Sequence, residues 1–246
     1  MTDQFQLTDD QREIQELARR FTADRITPFA AEWDEKNHYP VDVWKAAGEL
    51  GFGAIYVGEE NGGIGLGRLE AALIMEAMAY GCPSTSAFIS IHNMAAWMID
   101  AFADGDQRKR FLPKLCSMEH FASYCLTEPG AGSDAAALGT RAELHGDHYV
   151  VNGAKAFISG GGRSDIYVVM LRTGGPGAGK TAVLELIRLF FCTHVKTLPE
   201  SAGIVFAPST AIRLSAAPWI ACLLGICLLL PNSQTWLWGR GGAGTG

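Results

Sequence analysis

FASYCLTEPGAGSD, residues 121–134, is where the chain changes character. Phe121 to Thr127 is an apolar, aromatic run of the kind that forms a strand, and Pro129, Gly130 and Gly132 then force a loop. Small residues in such a loop let backbone N–H groups converge on an anion, and the Thr127 and Ser133 hydroxyls can add further hydrogen bonds. The same composition also describes an ordinary glycine-rich turn.

Upstream of this junction the sequence reads as helices. Thr8 and Gln11 have capping-box spacing, Ile14, Leu17 and Phe21 follow at helical intervals, and Pro28 marks a stop. A second helix fits between Val41 and Leu50, with Pro40 before it and Gly51 after it. EENGGIGLG, residues 59–67, is a loop; its glycines lack a preceding strand and shape a turn rather than a dinucleotide site. RLEAALIMEAMAYG, Ser84–Phe102 and Asp106–Leu115 complete the helical part, with Met75, Met78 and the nearby alanines at core spacing. His92 has no second metal-type residue at helical spacing and reads as packed core, and QRKR, residues 107–110, reads as a solvated face.

Downstream, TRAELHG, HYVVNGAKAFIS and DIYVVMLR are short β-rich runs separated by Gly, Asn and Asp. Asn152-Gly153, between YVV and AKAFI, predicts a two-residue hairpin. The fold class is therefore α+β: an all-helical domain over 1–120, then an antiparallel β domain beginning at 121 and readable to 177. Residues 178–246 have a different texture. Asp165 is the last aspartate, Glu185 and Glu200 are the only acidic residues beyond it, and the chain ends in TWLWGRGGAGTG. No domain is assigned to this hydrophobic tail, whose composition is that of an altered reading frame or splice product.

With 48% apolar residues the chain can bury a core, and a net charge of -6 gives no basic footprint for nucleic acid. Trp219–Leu230 is apolar but falls short of the roughly twenty residues of a membrane span. The six cysteines have no metal-ligand or redox spacing, no metal site is expected, and MTDQFQLTDDQ lacks the features of a secretory signal. These features suit a reducing cytoplasmic setting, with a processed mitochondrial matrix form as the alternative.

CLTEPGAGSDAAA, residues 125–137, resembles the signature of the acyl-CoA dehydrogenase family, and a second family motif follows in NGAKAFISGG, residues 152–161. AEWDEKNHYPVDVWKAAGELGFGAIYV and STSAFISIHNMAAWMID look like family positions in the helical half, so the resemblance covers about residues 5 to 176. SIHNMAAWMIDAF and SGGGRSDIYVVMLRTGGPG are most similar to the short- and branched-chain members, of isobutyryl-CoA type. The resemblance implies FAD as cofactor, an acyl-CoA substrate, electron-transferring flavoprotein as electron acceptor, and a homotetramer. It places Tyr124, Leu126 and Thr127 on a strand against the flavin, and Gly132 and Ser133 at the pyrophosphate, with Ser133 also at the acyl-CoA. Phe157, Ile158 and Ser159 form the second flavin contact, an aromatic on one face and a hydroxyl near N5.

The resemblance stops before the family's C-terminal helical bundle, which carries the glutamate that removes the α proton. No catalytic residue is therefore named, Glu128 is read as structural, and the chain is expected to be an inactive fragment of the lineage. Two rivals stand beside this reading. One is a non-enzymatic binding chain. The other is a P-loop nucleotide binder through GGPGAGKT, residues 174–181, with DIYVVMLR before it and helix-like TAVLELIRLFF after it. The P-loop reading lacks an aspartate beyond Asp165 to help hold magnesium.

Overall fold

The computed structural model describes residues 6–145, 148–172, 187–192, 204–213 and 227–228. The chain divides into two compact units, Met1–Ala122 and Ser123–Gly246.

The first unit is helical: α1 (Asp9–Arg25), α2 (Ala30–Glu35), α3 (Val41–Glu49), α4 (Arg68–Gly81), α5 (Pro83–Phe102) and α6 (Gly105–Cys116). Both halves of the α1 capping box form, Thr8 Oγ1 accepting the Gln11 N–H at 3.2 Å and Gln11 Oε1 accepting the Thr8 N–H at 3.0 Å. The short helix α2 is the one element in this unit without a readable sequence signal. Phe52, Ile55, Ile74, Met78 and Ile89 are fully buried, each worth about 1.5–3 kcal/mol relative to exposure. Trp44 stacks on Phe88 with ring centroids 3.8 Å apart, and Phe121 meets Trp44 edge-on.

Two buried polar residues of α5 tie this unit together. The Asn93 amide accepts the Ile55 N–H at 2.7 Å and donates to the Phe52 and Ile89 carbonyls, fastening the glycine-containing segment after α3 to α5. His92 is wholly buried, with Nε2 3.0 Å from the Leu115 carbonyl and Nδ1 accepting the Ala122 N–H at 3.0 Å. A carbonyl can only accept and an amide N–H only donate, so the imidazole is neutral with its proton on Nε2. The packed-core reading of His92 holds. In QRKR, Gln107 is buried and caps α6 with Asp104, and Arg108 donates to the Asp100 carbonyl, so only part of that run is a solvated face. In the loop before α4, residues 59–67, the glycines do shape the chain: a side chain at Gly63 would collide with the Val57 carbonyl.

The second unit is a sheet of β1 (Ala122–Cys125), β2 (Arg141–His145), β3 (His148–Lys155), β4 (Ile166–Arg172), β5 (Ile187–Cys192), β6 (Ile204–Arg213) and β7 (Cys227–Leu228). The order is β6-β3-β2-β4-β5-β7, with β1 also pairing β4. The expectation of a purely antiparallel sheet needs correction. β2 and β4 pair in parallel at Arg141 and Arg172, and β5 and β7 are parallel, so the sheet is mixed. β2 and β4 run the same way because β3 intervenes in sequence but lies on the other side of β2.

The Asn152-Gly153 hairpin is a second correction. Both residues lie inside β3, where the register against β6 shifts between Val151 and Gly153 as in a β-bulge. The antiparallel partners His145 and His148 show that the chain reverses earlier. Gly153 has φ +149°, and a Cβ there would lie 2.4 Å from Thr140 Oγ1, so a close backbone approach selects the glycine.

The boundary at Gly177 does not end the sheet. β5 pairs antiparallel with β4, Tyr167 facing Cys192 and Arg172 facing Ile187, and β6 pairs with β3 from His148 to Lys155. IRLFFC and IVFAPSTAIR have strand composition, which the loss of acidic residues obscured. The GGPGAGKT loop lies outside the described residues, but Ile187–Cys192 is a strand, against the helix the P-loop reading places there. Of the apolar run Trp219–Leu230, only Cys227–Leu228 is described, as β7. Among the described residues no helix is long and apolar enough to cross a membrane.

Candidate functional site

The two sequence motifs meet along one edge of the second unit. The Ser123 hydroxyl in β1 donates to the Ser159 carbonyl at 2.5 Å and lies 2.6 Å from the Ser164 hydroxyl. Further along, the Thr127 carbonyl accepts the Ala156 N–H at 2.9 Å. These bonds lay residues 123–127 alongside 156–159, so Tyr124, Leu126 and Thr127 are brought beside Phe157, Ile158 and Ser159.

The side chains in these stretches do different things. Tyr124, Leu126, Thr127 and Ser159 are half-buried, and Ile158 is buried, leaving its backbone as the part it presents. Phe157 is 82% exposed and has φ +55°. A left-handed aromatic costs about 1–3 kcal/mol, and an exposed ring recovers none of it by burial. Its neighbours Lys155 and Ile158 are both buried and hold it there. An aromatic face fixed at the surface in this way is a platform for stacking a flat ring.

The loop after Thr127 is closed by a turn. Glu128 and Ala131 exchange backbone hydrogen bonds of 2.9 and 3.1 Å around Pro129 and Gly130. The Ala131 N–H is thereby taken up within the turn and leaves the anion-cradle reading, whereas Gly130, Gly132 and Ser133 are all exposed. A Cβ on Gly130 or Gly132 would meet nothing within 4 Å, and neither has a positive φ. The chain's own packing therefore does not demand glycine at either position.

Behind the loop lies a buried charge pair. Lys155 Nζ is 2.7 Å from Glu128 Oε1 and donates to the Leu126 carbonyl at 2.9 Å. Glu128 also accepts the Thr140 N–H at 2.9 Å and the Gly139 N–H at 2.5 Å. Burial alone would raise the Glu128 pKa, but the hydrogen bonds from Lys155, Thr140 and Gly139 outweigh it and hold the carboxyl below its ordinary value. Both carboxylate oxygens of Glu128 are thus directed at the chain's own Lys155, Thr140 and Gly139. Arg172 completes the support, its guanidinium donating to the Leu138 carbonyl at 2.9 Å and to that of Ala136.

Lys155, Ser123 and Thr140 belong to this arrangement and were not read from the sequence. One signal was present: Glu128 and Lys155 are opposite charges, one in each motif. Among the described residues no group of three or more His, Cys, Asp or Glu could hold a metal ion. Glu185 and Glu200 lie outside the described residues.

This geometry can be set against known proteins. The model for the acyl-CoA dehydrogenase N-terminal domain matches residues 8–119, and that for the acyl-CoA dehydrogenase middle domain matches residues 123–216. The chain belongs to the acyl-CoA dehydrogenase family and carries its N-terminal and middle domains. The middle-domain match runs past Gly177 through β5 and β6, beyond the boundary drawn from composition.

Among curated relatives, it is 57% identical over 171 residues to mitochondrial isobutyryl-CoA dehydrogenase of Bos taurus, covering 70% of this chain and 41% of the relative. It is also 57% identical over 168 residues to the Dictyostelium discoideum mitochondrial isobutyryl-CoA dehydrogenase, covering 68% of this chain and 40% of the relative. Among solved structures, the FAD complex of PigA superposes with a TM-score of 0.75 at 25% identity, over 83% of this chain and 57% of that one. The chain thus spans about two-fifths of the length of these curated relatives.

Proposed function

We propose that the second unit binds FAD and that the chain belongs to an enzyme lineage that dehydrogenates a short, branched acyl-CoA thioester of the isobutyryl type across its α,β bond. The observation that carries the cofactor reading is Phe157, an exposed aromatic in a strained conformation beside Thr127. The donor set fits the group: an aromatic face, the Thr127 and Ser159 hydroxyls, and an open glycine loop at Gly132 and Ser133. When bound, FAD supplies the hydride acceptor for the dehydrogenation. Phe157 would cover one flavin face against water, Tyr124, Leu126 and Ile158 would line it, and Thr127 and Ser159 would hydrogen-bond its polar edge. Gly132 and Ser133 would offer N–H and O–H donors to phosphate oxygens and to the acyl-CoA.

The 57% identity to two isobutyryl-CoA dehydrogenases supports the branched substrate. Electron-transferring flavoprotein as acceptor and a homotetramer rest on the family resemblance. Both relatives are mitochondrial by name, which supports the matrix placement over the cytoplasmic one. The carboxylate of the loop, Glu128, is fully engaged, so we expect this chain to hold FAD without turning over substrate. The non-enzymatic reading and the dehydrogenase lineage are compatible in that sense.

Anaerobic addition of isobutyryl-CoA to the FAD-loaded chain tests these points together. The reading expects a yellow protein whose flavin spectrum shifts without bleaching, and shifts less with a long straight-chain acyl-CoA. A colourless protein overturns the cofactor reading, equal shifts overturn the substrate, and bleaching overturns the inactivity.

A further inference from the structure

We propose that the buried Glu128–Lys155 ion pair is the positioning element of this site, fixing the two contact stretches relative to each other and setting the electrostatic environment of the flavin. The inference rests on the flavin reading above.

Each partner stands at the root of one stretch. Glu128 directly follows Thr127, and Lys155 directly precedes Ala156, whose N–H bonds the Thr127 carbonyl, and then Phe157. The Lys155 side chain is fully buried and that of Glu128 is 9% exposed, with Nζ and Oε1 2.7 Å apart. Lys155 also holds the Leu126 carbonyl, and Glu128 holds the Gly139 and Thr140 N–H groups that lead into β2. One pair therefore connects the end of β3, the residues after β1 and the entry to β2.

Two apolar side chains of the same volume would fill this space as well and avoid the desolvation of two charges. They would not supply direction. Lys155 and Glu128 together fix three backbone groups by aimed hydrogen bonds, which is what holding Phe157 in a strained conformation beside Thr127 requires. The Lys155 bond to the Leu126 carbonyl also polarises the Leu126–Thr127 peptide, making the Thr127 N–H a stronger donor. With Nζ and Oε1 only 2.7 Å apart, the two charges would nearly cancel at a bound flavin, and removing either one would expose the other.

That last point separates positioning from mere support. Glu128→Gln leaves an unbalanced cation and Lys155→Met an unbalanced anion, so the reduction potential of bound FAD should rise in the first variant and fall in the second. Both should weaken FAD binding by at least about tenfold. Leu171→Ala, a truncation of the buried β4 residue Leu171, is the control for general destabilisation. Potentials shifting in the same direction, or FAD affinities no lower than that of Leu171→Ala at equal loss of Tm, would overturn the proposal while leaving the flavin reading intact. Failure of the unsubstituted chain to bind FAD would instead remove the flavin reading, and this inference with it. If a single variant does not fold, the neutral double variant Glu128→Gln/Lys155→Met leaves no unpaired buried charge and carries the affinity comparison by the same criterion.

Discussion

Gly153 in β3 and Thr140 before β2 approach so closely that a methyl group on the glycine would stand 2.4 Å from the threonine hydroxyl and 2.7 Å from its Cα. Thr140 is itself pinned, its N–H held by Glu128 and its carbonyl by the Arg172 N–H. It cannot retreat without loosening the loop behind the site. Gly153→Ala should cost about 2–4 kcal/mol, from the φ of +149° and the overlap together. Denaturant unfolding followed by circular dichroism measures it, and a loss below about 1 kcal/mol would show that the bulge relaxes.

Asn93 is the polar lock of the helical unit. Its amide satisfies Ile55, Phe52 and Ile89 at 2.7–2.9 Å with no exposure. Asn93→Ala strands the buried Ile55 N–H and Phe52 carbonyl, while the Ile89 carbonyl keeps its helical partner, at a cost of about 2–4 kcal/mol. Asn93→Asp should do nearly as badly, because a carboxylate cannot donate to the two carbonyls. Unfolding midpoints of the two variants decide this; an aspartate variant as stable as the unsubstituted chain would mean that the donor side of the amide is dispensable.

His92 gives the helical unit an acid limit. Burial first, only partly offset by the Leu115 carbonyl, lowers its pKa from 6.5 to about 4. The folded state thus prefers the neutral ring. The stabilisation is fully present above about pH 6.5, drains as pH falls toward 4, and amounts to about 3 kcal/mol in all. Below that, a proton on Nδ1 opposes the Ala122 N–H. His92→Gln should be less stable at pH 7 yet show a flatter stability profile between about pH 4 and 6.5. Urea midpoints across that range would contradict this if both proteins changed in parallel.

Phe157 separates function from stability. Its ring is mostly in water and its backbone is strained, so Phe157→Gly should leave the fold as stable or raise it by up to about 1 kcal/mol. FAD affinity should fall by about tenfold or more as the stacking surface is lost. A glycine variant that unfolds more easily and binds FAD unchanged would reverse both roles.

Much of this was legible in the sequence where the signal was local. Thr8 with Gln11, and Pro40 with Gly51, set the ends of α1 and α3 through contacts within a turn or two. The strands around Tyr124 and Val168 announced themselves by composition. What was misread depends on partners distant in sequence. Asn152-Gly153 is a hairpin signal unless Thr140 lies against it, and nothing near residue 153 says so. Lys155 looks like a surface lysine until Glu128 is placed beside it. β5 and β6 were passed over because the scarcity of acidic residues outweighed a strand composition whose pairing with β4 and β3 is non-local. Tyr124, Thr127, Phe157 and Ser159 came from motif resemblance, and local periodicity alone would not have joined them.

Equilibrium dialysis of the purified 246-residue chain against FAD, followed by gel filtration, shows whether the protein holds the cofactor. If Phe157 and its neighbours bind FAD, flavin co-elutes with the protein, with about one FAD per chain at saturation and a flavin spectrum displaced from that of free FAD, as expected of a ring stacked on Phe157. Protein that emerges colourless, with all FAD in the salt fraction, would contradict it.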